Sequence, residues 1–205
     1  MTPPAAAGII RRMDVAHPEY PSFAALAAAR DEGREYIRSC RFRAQSRVAI
    51  LAPHGGRIEP HIDQIAADIA SAELSLYAFR SVVPRDVAIL HITSHRFDDP
   101  ACIVPLSQHP YVVTVHGRRV ESEHVLLGGL DTELLAELAD AIRHAGFSAQ
   151  TEGHRFPGRH PRNICNRGAR ARGAQLELSP LLRKSARRGE FVQAVRAVLL
   201  AANSR

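Results

Sequence analysis

The sequence predicts an α/β domain, a three-layer α/β/α sandwich around a mixed, mostly parallel twisted sheet. Three observations carry this. Short apolar runs at 48–52 and 111–115 have the length and β-branched content of strands buried on both faces. They alternate with helix-period segments, the order in which helical crossovers join parallel strands. Of the 205 residues, 45% are apolar and 23% charged, which suits one domain with a substantial core.

Each element follows from local pattern. Residues 1–18 are rich in Pro and Ala without periodicity and predict a flexible N-terminal arm, leaving 19–205 as a single domain. From Ser22, the positions Phe23, Leu26 and Ala27, continued by Tyr36 and Ile37, predict an amphipathic covering helix. The run at 48–52 is the first core strand. Pro60 suits the start of a helix whose inner face is Ile62, Ile65, Ala66 and Ile69. Residues 74–79 and 87–92 predict strands, 100–106 a short helix, and 111–115 a strand ending at His116. Residues 125–130 form a strand that gives out at glycines. Over 132–145 a helix turns Leu134, Leu135, Leu138, Ala139 and Ile142 inward and stops at Gly146. A short strand at 147–150 precedes a long loop at 153–173, rich in glycine, proline and arginine. A last strand at 174–178 and a closing helix at 191–202 complete the chain.

Charge and composition narrow the partners. The net charge is +6, and arginines gather between Arg155 and Arg188, so an anionic partner is expected. No apolar run reaches the length of a membrane span, and no secretory signal opens the chain; a cytoplasmic protein is expected. Three cysteines without metal-type pairing agree with a reducing compartment. A basic nucleic-acid-binding or replication accessory protein is the alternative, and a non-catalytic zinc-binding homologue another. Against the first, no aromatic residues interleave with the arginines as stacking platforms would.

The chemistry concentrates at strand ends. His54 follows the first core strand, Gly55 and Gly56 permit a tight reversal, and Glu59 lies five positions on. His116 ends another strand. Two histidines and a carboxylate at the carboxyl ends of strands are the donor types of a catalytic zinc, with a position left for water. His54, Glu59 and His116 are therefore the expected metal ligands, holding one Zn²⁺ per chain. His91 and His95 flank another predicted strand end and approach the same cleft. Hydrolysis also needs a proton acceptor, and Glu177, the lone charge within an apolar strand, is the candidate general base. Arg162, Asn163 and Arg167 in the long loop, together with Arg96, are candidates to bind a substrate carboxylate, because the guanidinium fork matches it in two parallel hydrogen bonds.

Several segments occur in one order: Ala52-Pro53-His54-Gly55-Gly56-Arg57-Ile58-Glu59, Leu90-His91-Ile92-Thr93-Ser94-His95-Arg96-Phe97-Asp98, Val115-His116-Gly117, Gly128-Gly129-Leu130-Asp131, Arg162-Asn163-Ile164-Cys165-Asn166-Arg167-Gly168 and Gln175-Leu176-Glu177-Leu178-Ser179. Together they resemble the poly-γ-glutamate hydrolase family of bacteriophage and bacterial zinc enzymes, also labelled phage-related replication proteins. The resemblance runs from about Tyr20 to the last helix. It implies a carboxypeptidase-like fold, one zinc, and cleavage of γ-glutamyl amide bonds in an anionic glutamyl polymer or peptide. By motif, His54, Glu59 and His116 match the ligands, and Glu177 matches the base by analogy with zinc carboxypeptidases. Two departures, bulky Arg57 and the pair Arg118–Arg119, bear on substrate choice more than on the metal.

Overall fold

A computed structural model describes residues 20–84, 87–120 and 124–205 of the chain. The arm expected at 1–18 lies outside the described residues. Seven strands form one sheet: β1 (Tyr36–Arg41), β2 (Val48–Gly55), β3 (Ser75–Ser81), β4 (Tyr111–Gly117), β5 (His124–Gly129), β6 (Ser148–Gln150) and β7 (Ala174–Leu178). Their spatial order is β1-β3-β2-β4-β7-β5-β6. The pairings β2–β3, β2–β4, β4–β7 and β5–β6 are parallel, while β1–β3 and β5–β7 are antiparallel. The sheet is mixed and mostly parallel, as expected.

Helices cover both faces. They are α1 (Phe23–Ala29), α2 (Ile62–Ala70), α3 (Pro100–Leu106), α4 (Thr132–His144), α5 (Pro180–Lys184) and α6 (Arg188–Asn203). Side chains alternate across β2, so Val48, Ile50 and Ala52 join the core under α2, α4 and α6. Ala49 and Leu51 join the opposite core, with Phe23, Tyr77, Phe79, Phe97 and Leu106. Helix starts are set by short polar caps: Ser22 accepts from Ala25 N, Asp99 from Ala101 N, Asp131 from Leu134 N and Ser179 from Leu182 N. Proline stands in the first turn of α3 and α5, where its missing N–H costs nothing.

The elements differ from expectation in a few places. Tyr36 and Ile37 do not continue α1. The chain turns at Gly33 (φ 88°) and returns as β1, an edge strand whose half-exposed polar residues hide its strand character. Residues 87–92 are not a strand. Val87–Leu90 makes one 3₁₀ turn, and a short apolar run there reflects burial of Leu90 and Ile92 beneath the sheet rather than strand pairing. Helix α5 is too short to carry a periodic signal.

Candidate metal centre and cleft

The site forms where parallel strands end on the face opposite α2, α4 and α6. In β4, Val113 and Val115 point into that helical core, so Thr114 and His116 leave the other face. In β7, Ala174, Leu176 and Leu178 point the same way as the valines, which sends Gln175 and Glu177 to the side of His116. Glu177 is not on an edge: β7 lies between β4 and β5, and the residue is only 6% exposed.

His54 stands in the register shift of β2 between Ala52 and Gly55, and the chain then reverses through Gly55 and Gly56. Gly56 has φ 68°, and a Cβ on it would lie 2.2 Å from the Ser81 carbonyl oxygen, so this turn requires glycine. The reversal closes with Glu59 N–H donating to His54 O at 2.9 Å, and it returns the Glu59 carboxylate to the histidine. His54 Nδ1 lies 3.0 Å from Glu59 Oε1 and 3.1 Å from His116 Nδ1, while His116 Nδ1 lies 3.7 Å from Glu59 Oε2. The other His54 nitrogen, Nε2, sits 2.8 Å from the Ile92 carbonyl, which fixes the ring with Nδ1 toward the cluster. Gly117 N–H donates to Glu59 Oε2 at 2.7 Å and holds the carboxylate from the other side.

Two imidazole nitrogens 3.1 Å apart must either share a proton or face a common cation. Donors bound about 2.05 Å from a tetrahedral zinc stand about 3.3 Å apart. The three separations within the set, 3.0, 3.1 and 3.7 Å, fall on either side of that value, the last measured to the second Glu59 oxygen, so the donor types and spacing fit a zinc ion. His91 also approaches: one donor atom each from His54, Glu59 and His91 lie within 4.8 Å of one another, and the His54 and His91 rings are 4.1 Å apart. His54 and Glu59 thus have two histidines within reach as the third donor.

The electrostatics separate the two carboxylates. Burial alone would raise the pKa of Glu59, but the charges and hydrogen bonds of His54 and His116 reverse this, leaving it well below the ordinary range. Burial pushes Glu177 up to about 7, and the charge of Glu59 adds to the rise against His116, His54 and Arg118. For His54 the desolvation that would lower its pKa is outweighed by Glu59, and the net shift is upward. One Glu177 oxygen is fixed: Gln175 Nε2 donates to Oε1 at 3.0 Å, and Gln175 Oε1 accepts from Asn163 Nδ2 at 3.0 Å.

Residues 20–191 match the sequence profile of the poly-γ-glutamate hydrolase family. The chain belongs to this family. Among relatives, the SPbeta prophage-derived protein YoqZ of Bacillus subtilis (strain 168) is 38% identical over 135 residues, 65% of this chain and 49% of YoqZ. YmaC of the same bacterium is 33% identical over 162 residues, covering 78% of this chain and 68% of YmaC. The chain spans about half the length of the first curated relatives it matches, 49% of YoqZ and 56% of YndL. A solved bacteriophage poly-γ-glutamate hydrolase superposes with a TM-score of 0.85 at 27% identity, over 90% of this chain and 98% of that one. A zinc-free form of YndL superposes with a TM-score of 0.80 at 29% identity, over 89% and 98%.

Within this poly-γ-glutamate hydrolase fold, the residues proposed from sequence separate into two groups. His54, Glu59, His116, Glu177 and Asn163 line one cavity of about 350 Å³. Arg96, Arg162 and Arg167 are not among its lining residues; Arg96 and Arg162 are exposed, and Arg167 is half-buried. The arginines of the long loop that do line it are Arg155 and Arg159. Asn166 staples that loop instead, donating to Gly158 O and His160 O and accepting from Leu130 and Gly173 N–H groups. Sequence reasoning did not assign Gln175, although it shares the face of Glu177 by simple alternation. Arg57 points away, its Nη1 donating to Pro84 O at 3.1 Å. Among the described residues, no helix is long and apolar enough to cross a membrane.

Proposed function

We propose that the protein is a zinc-dependent hydrolase of γ-glutamyl amide bonds, acting on poly-γ-glutamate or a related anionic glutamyl peptide. The observation that carries this reading is the convergence of His54, Glu59 and His116 at zinc-ligand separations beside a buried, proton-ready Glu177. Family membership and the fold shared with a phage poly-γ-glutamate hydrolase support the substrate class. In this reading His54, Glu59 and His116 hold one zinc, and the His91 ring lies 4.1 Å from the His54 ring.

A zinc ion held there would supply Lewis acidity, lowering the pKa of a water toward about 7 and polarising the scissile carbonyl. The protein's own groups do the rest. Glu177 accepts the proton of the attacking water at the oxygen not held by Gln175, then delivers it to the departing amide nitrogen. Gln175 and Asn163 keep the carboxylate aimed into the cleft during both transfers. The Ile92 carbonyl and the Gly117 N–H prevent His54 and Glu59 from turning away.

Elemental analysis of the purified protein, with release of glutamyl fragments from poly-γ-glutamate, tests the reading. Stoichiometric zinc, activity lost on chelation and activity restored by zinc are expected. Zinc-replete protein that cleaves no γ-glutamyl substrate would overturn it.

A further inference from the structure

One short segment meets the outer nitrogens of both clustered histidines. It runs from Ile92 to Ser94, between the 3₁₀ turn at Val87–Leu90 and α3. The Ile92 carbonyl lies 2.8 Å from His54 Nε2, and Ser94 Oγ lies 3.4 Å from His116 Nε2. The Nδ1 atoms of the same two rings stand 3.1 Å apart beside Glu59. A backbone carbonyl can only accept, so it favours the His54 form with a proton on Nε2 and a bare Nδ1. His116 must take the same form to present its own Nδ1 to a metal.

The segment is held from several sides. Ile92 is buried with Phe97 in the core that contains Ala49, Leu51 and Tyr77. Arg96 N–H closes a turn on Thr93 O at 2.7 Å, and the Ser94 carbonyl accepts from Ile164 N–H at 3.0 Å. The Ser94 hydroxyl is thus carried on fixed backbone, half-buried in the cleft wall. His116 is only 3% exposed, so a proton on Nε2 needs a protein acceptor, and among the described residues Ser94 Oγ stands there. The other nitrogen has a rival claim on that proton: Glu59 Oε2 lies 3.7 Å from Nδ1. Without the hydroxyl, the carboxylate draws the proton to Nδ1, the form that cannot ligate.

We infer that Ser94 is a positioning residue: its hydroxyl accepts the Nε2–H of His116 and keeps Nδ1 free to ligate, as the Ile92 carbonyl does for His54. The inference rests on the zinc reading of the cluster and adds to it a residue that acts on the metal through another side chain. Loss of an outer acceptor of this kind costs about 10- to 100-fold in metal affinity. Because the contact to Ile164 uses the backbone, Ser94→Ala removes the hydroxyl alone. The loop that carries Asn163, and with it the hold on Gln175, keeps its anchor.

The test measures zinc affinity of the full chain by competition with a chromophoric chelator, for the unsubstituted protein, Ser94→Ala and Ser94→Thr. Thermal melts in chelator verify folding. Ser94→Ala should bind zinc about tenfold more weakly, and Ser94→Thr, which keeps the hydroxyl, within about threefold of the unsubstituted protein. In a His116→Ala background, removing the hydroxyl should change affinity by about twofold or less, because the side chain it acts through is gone. Nitrogen–proton correlation spectra of the zinc-loaded protein should place the His116 proton on Nε2, in a signal absent from His116→Ala. A tenfold loss that persists without His116, or a proton on Nδ1, sinks the positioning role. So does a loss that threonine fails to rescue and that comes with a lower metal-free melting temperature, which assigns the hydroxyl to folding. Zinc uptake indifferent to Ser94 removes this inference and leaves the zinc reading standing. An unsubstituted protein that takes up no zinc removes both.

Discussion

His116 and Glu177 are direct partners across the parallel β4–β7 ladder, so their side chains leave the sheet on the same face, one strand apart. This single register relation places a prospective metal ligand beside a prospective proton acceptor without any loop having to position either. The sheet also makes the pair rigid: β4 is hydrogen-bonded between β2 and β7, and the neighbouring β2 delivers His54. A one-residue slip of β7 would put Glu177 into the helical core and Leu176 or Leu178 into the cleft. The buried valines and leucines on the opposite face forbid that slip.

The choice between His116 and His91 as third donor is open to a direct measurement. His116 Nδ1 stands at a ligand-to-ligand distance from His54 Nδ1, whereas the His91 ring lies alongside the His54 ring. His116→Ala should lower zinc affinity at least 100-fold, and His91→Ala by less than tenfold, in competition with a chromophoric chelator. The opposite ranking would make His91 the ligand.

Gln175 should act on turnover rather than on binding. Its amide holds one oxygen of Glu177 and is itself oriented by Asn163. Gln175→Leu removes that guide while keeping the size of the side chain. A fall in kcat of about tenfold or more is expected, with KM and bound zinc little changed. Loss of zinc or a rise in KM alone would assign Gln175 to structure.

Much of this was legible beforehand, and the reasons are specific. The β2 run, α2 and α4 follow from uninterrupted apolar patterns, and the His54–Glu59 turn from two glycines between a strand and a carboxylate. Glu177 was visible as one charge within an apolar strand. The arginines were not separable by sequence, because Arg162, Arg167 and Arg155 sit in one loop whose path is set by Asn166 and by glycines abutting β5. Nothing local distinguishes those facing the cleft. Residues 87–92 misled because burial under a sheet and pairing within it select the same apolar side chains.

The turn after β2 should be intolerant of any side chain at its second glycine. Gly56→Ala meets both the left-handed backbone and the Ser81 carbonyl oxygen, so the reversal that carries Glu59 must open. A stability loss of at least about 1 kcal/mol is expected in chemical denaturation, together with weaker zinc binding. Unchanged zinc affinity would mean that Glu59 reaches the site independently of this turn.

The raised Glu177 carboxyl makes a signed prediction for the metal-free protein. Its folded pKa of about 7 exceeds the ordinary value of 4.5, so the native state favours the protonated form. The stabilisation is complete below about pH 4.5 and is lost as pH rises through 7; a shift of this size corresponds to on the order of 3 kcal/mol. Glu59, shifted downward, contributes in the opposite sense and only at more acid pH, where its protonation removes stability. His54, shifted upward, loses its contribution above the ordinary histidine range, in the same direction as Glu177 but at higher pH. Comparison with Glu177→Gln isolates the first effect, because the amide does not titrate. Between pH 4.5 and 7.5, in chelator, the unsubstituted protein should lose on the order of 3 kcal/mol more unfolding free energy than the variant. With zinc restored, the same variant should retain the metal yet hydrolyse at least 100-fold more slowly. Parallel stability curves would show that the carboxyl is not held in its protonated form, and full activity would remove Glu177 as the base.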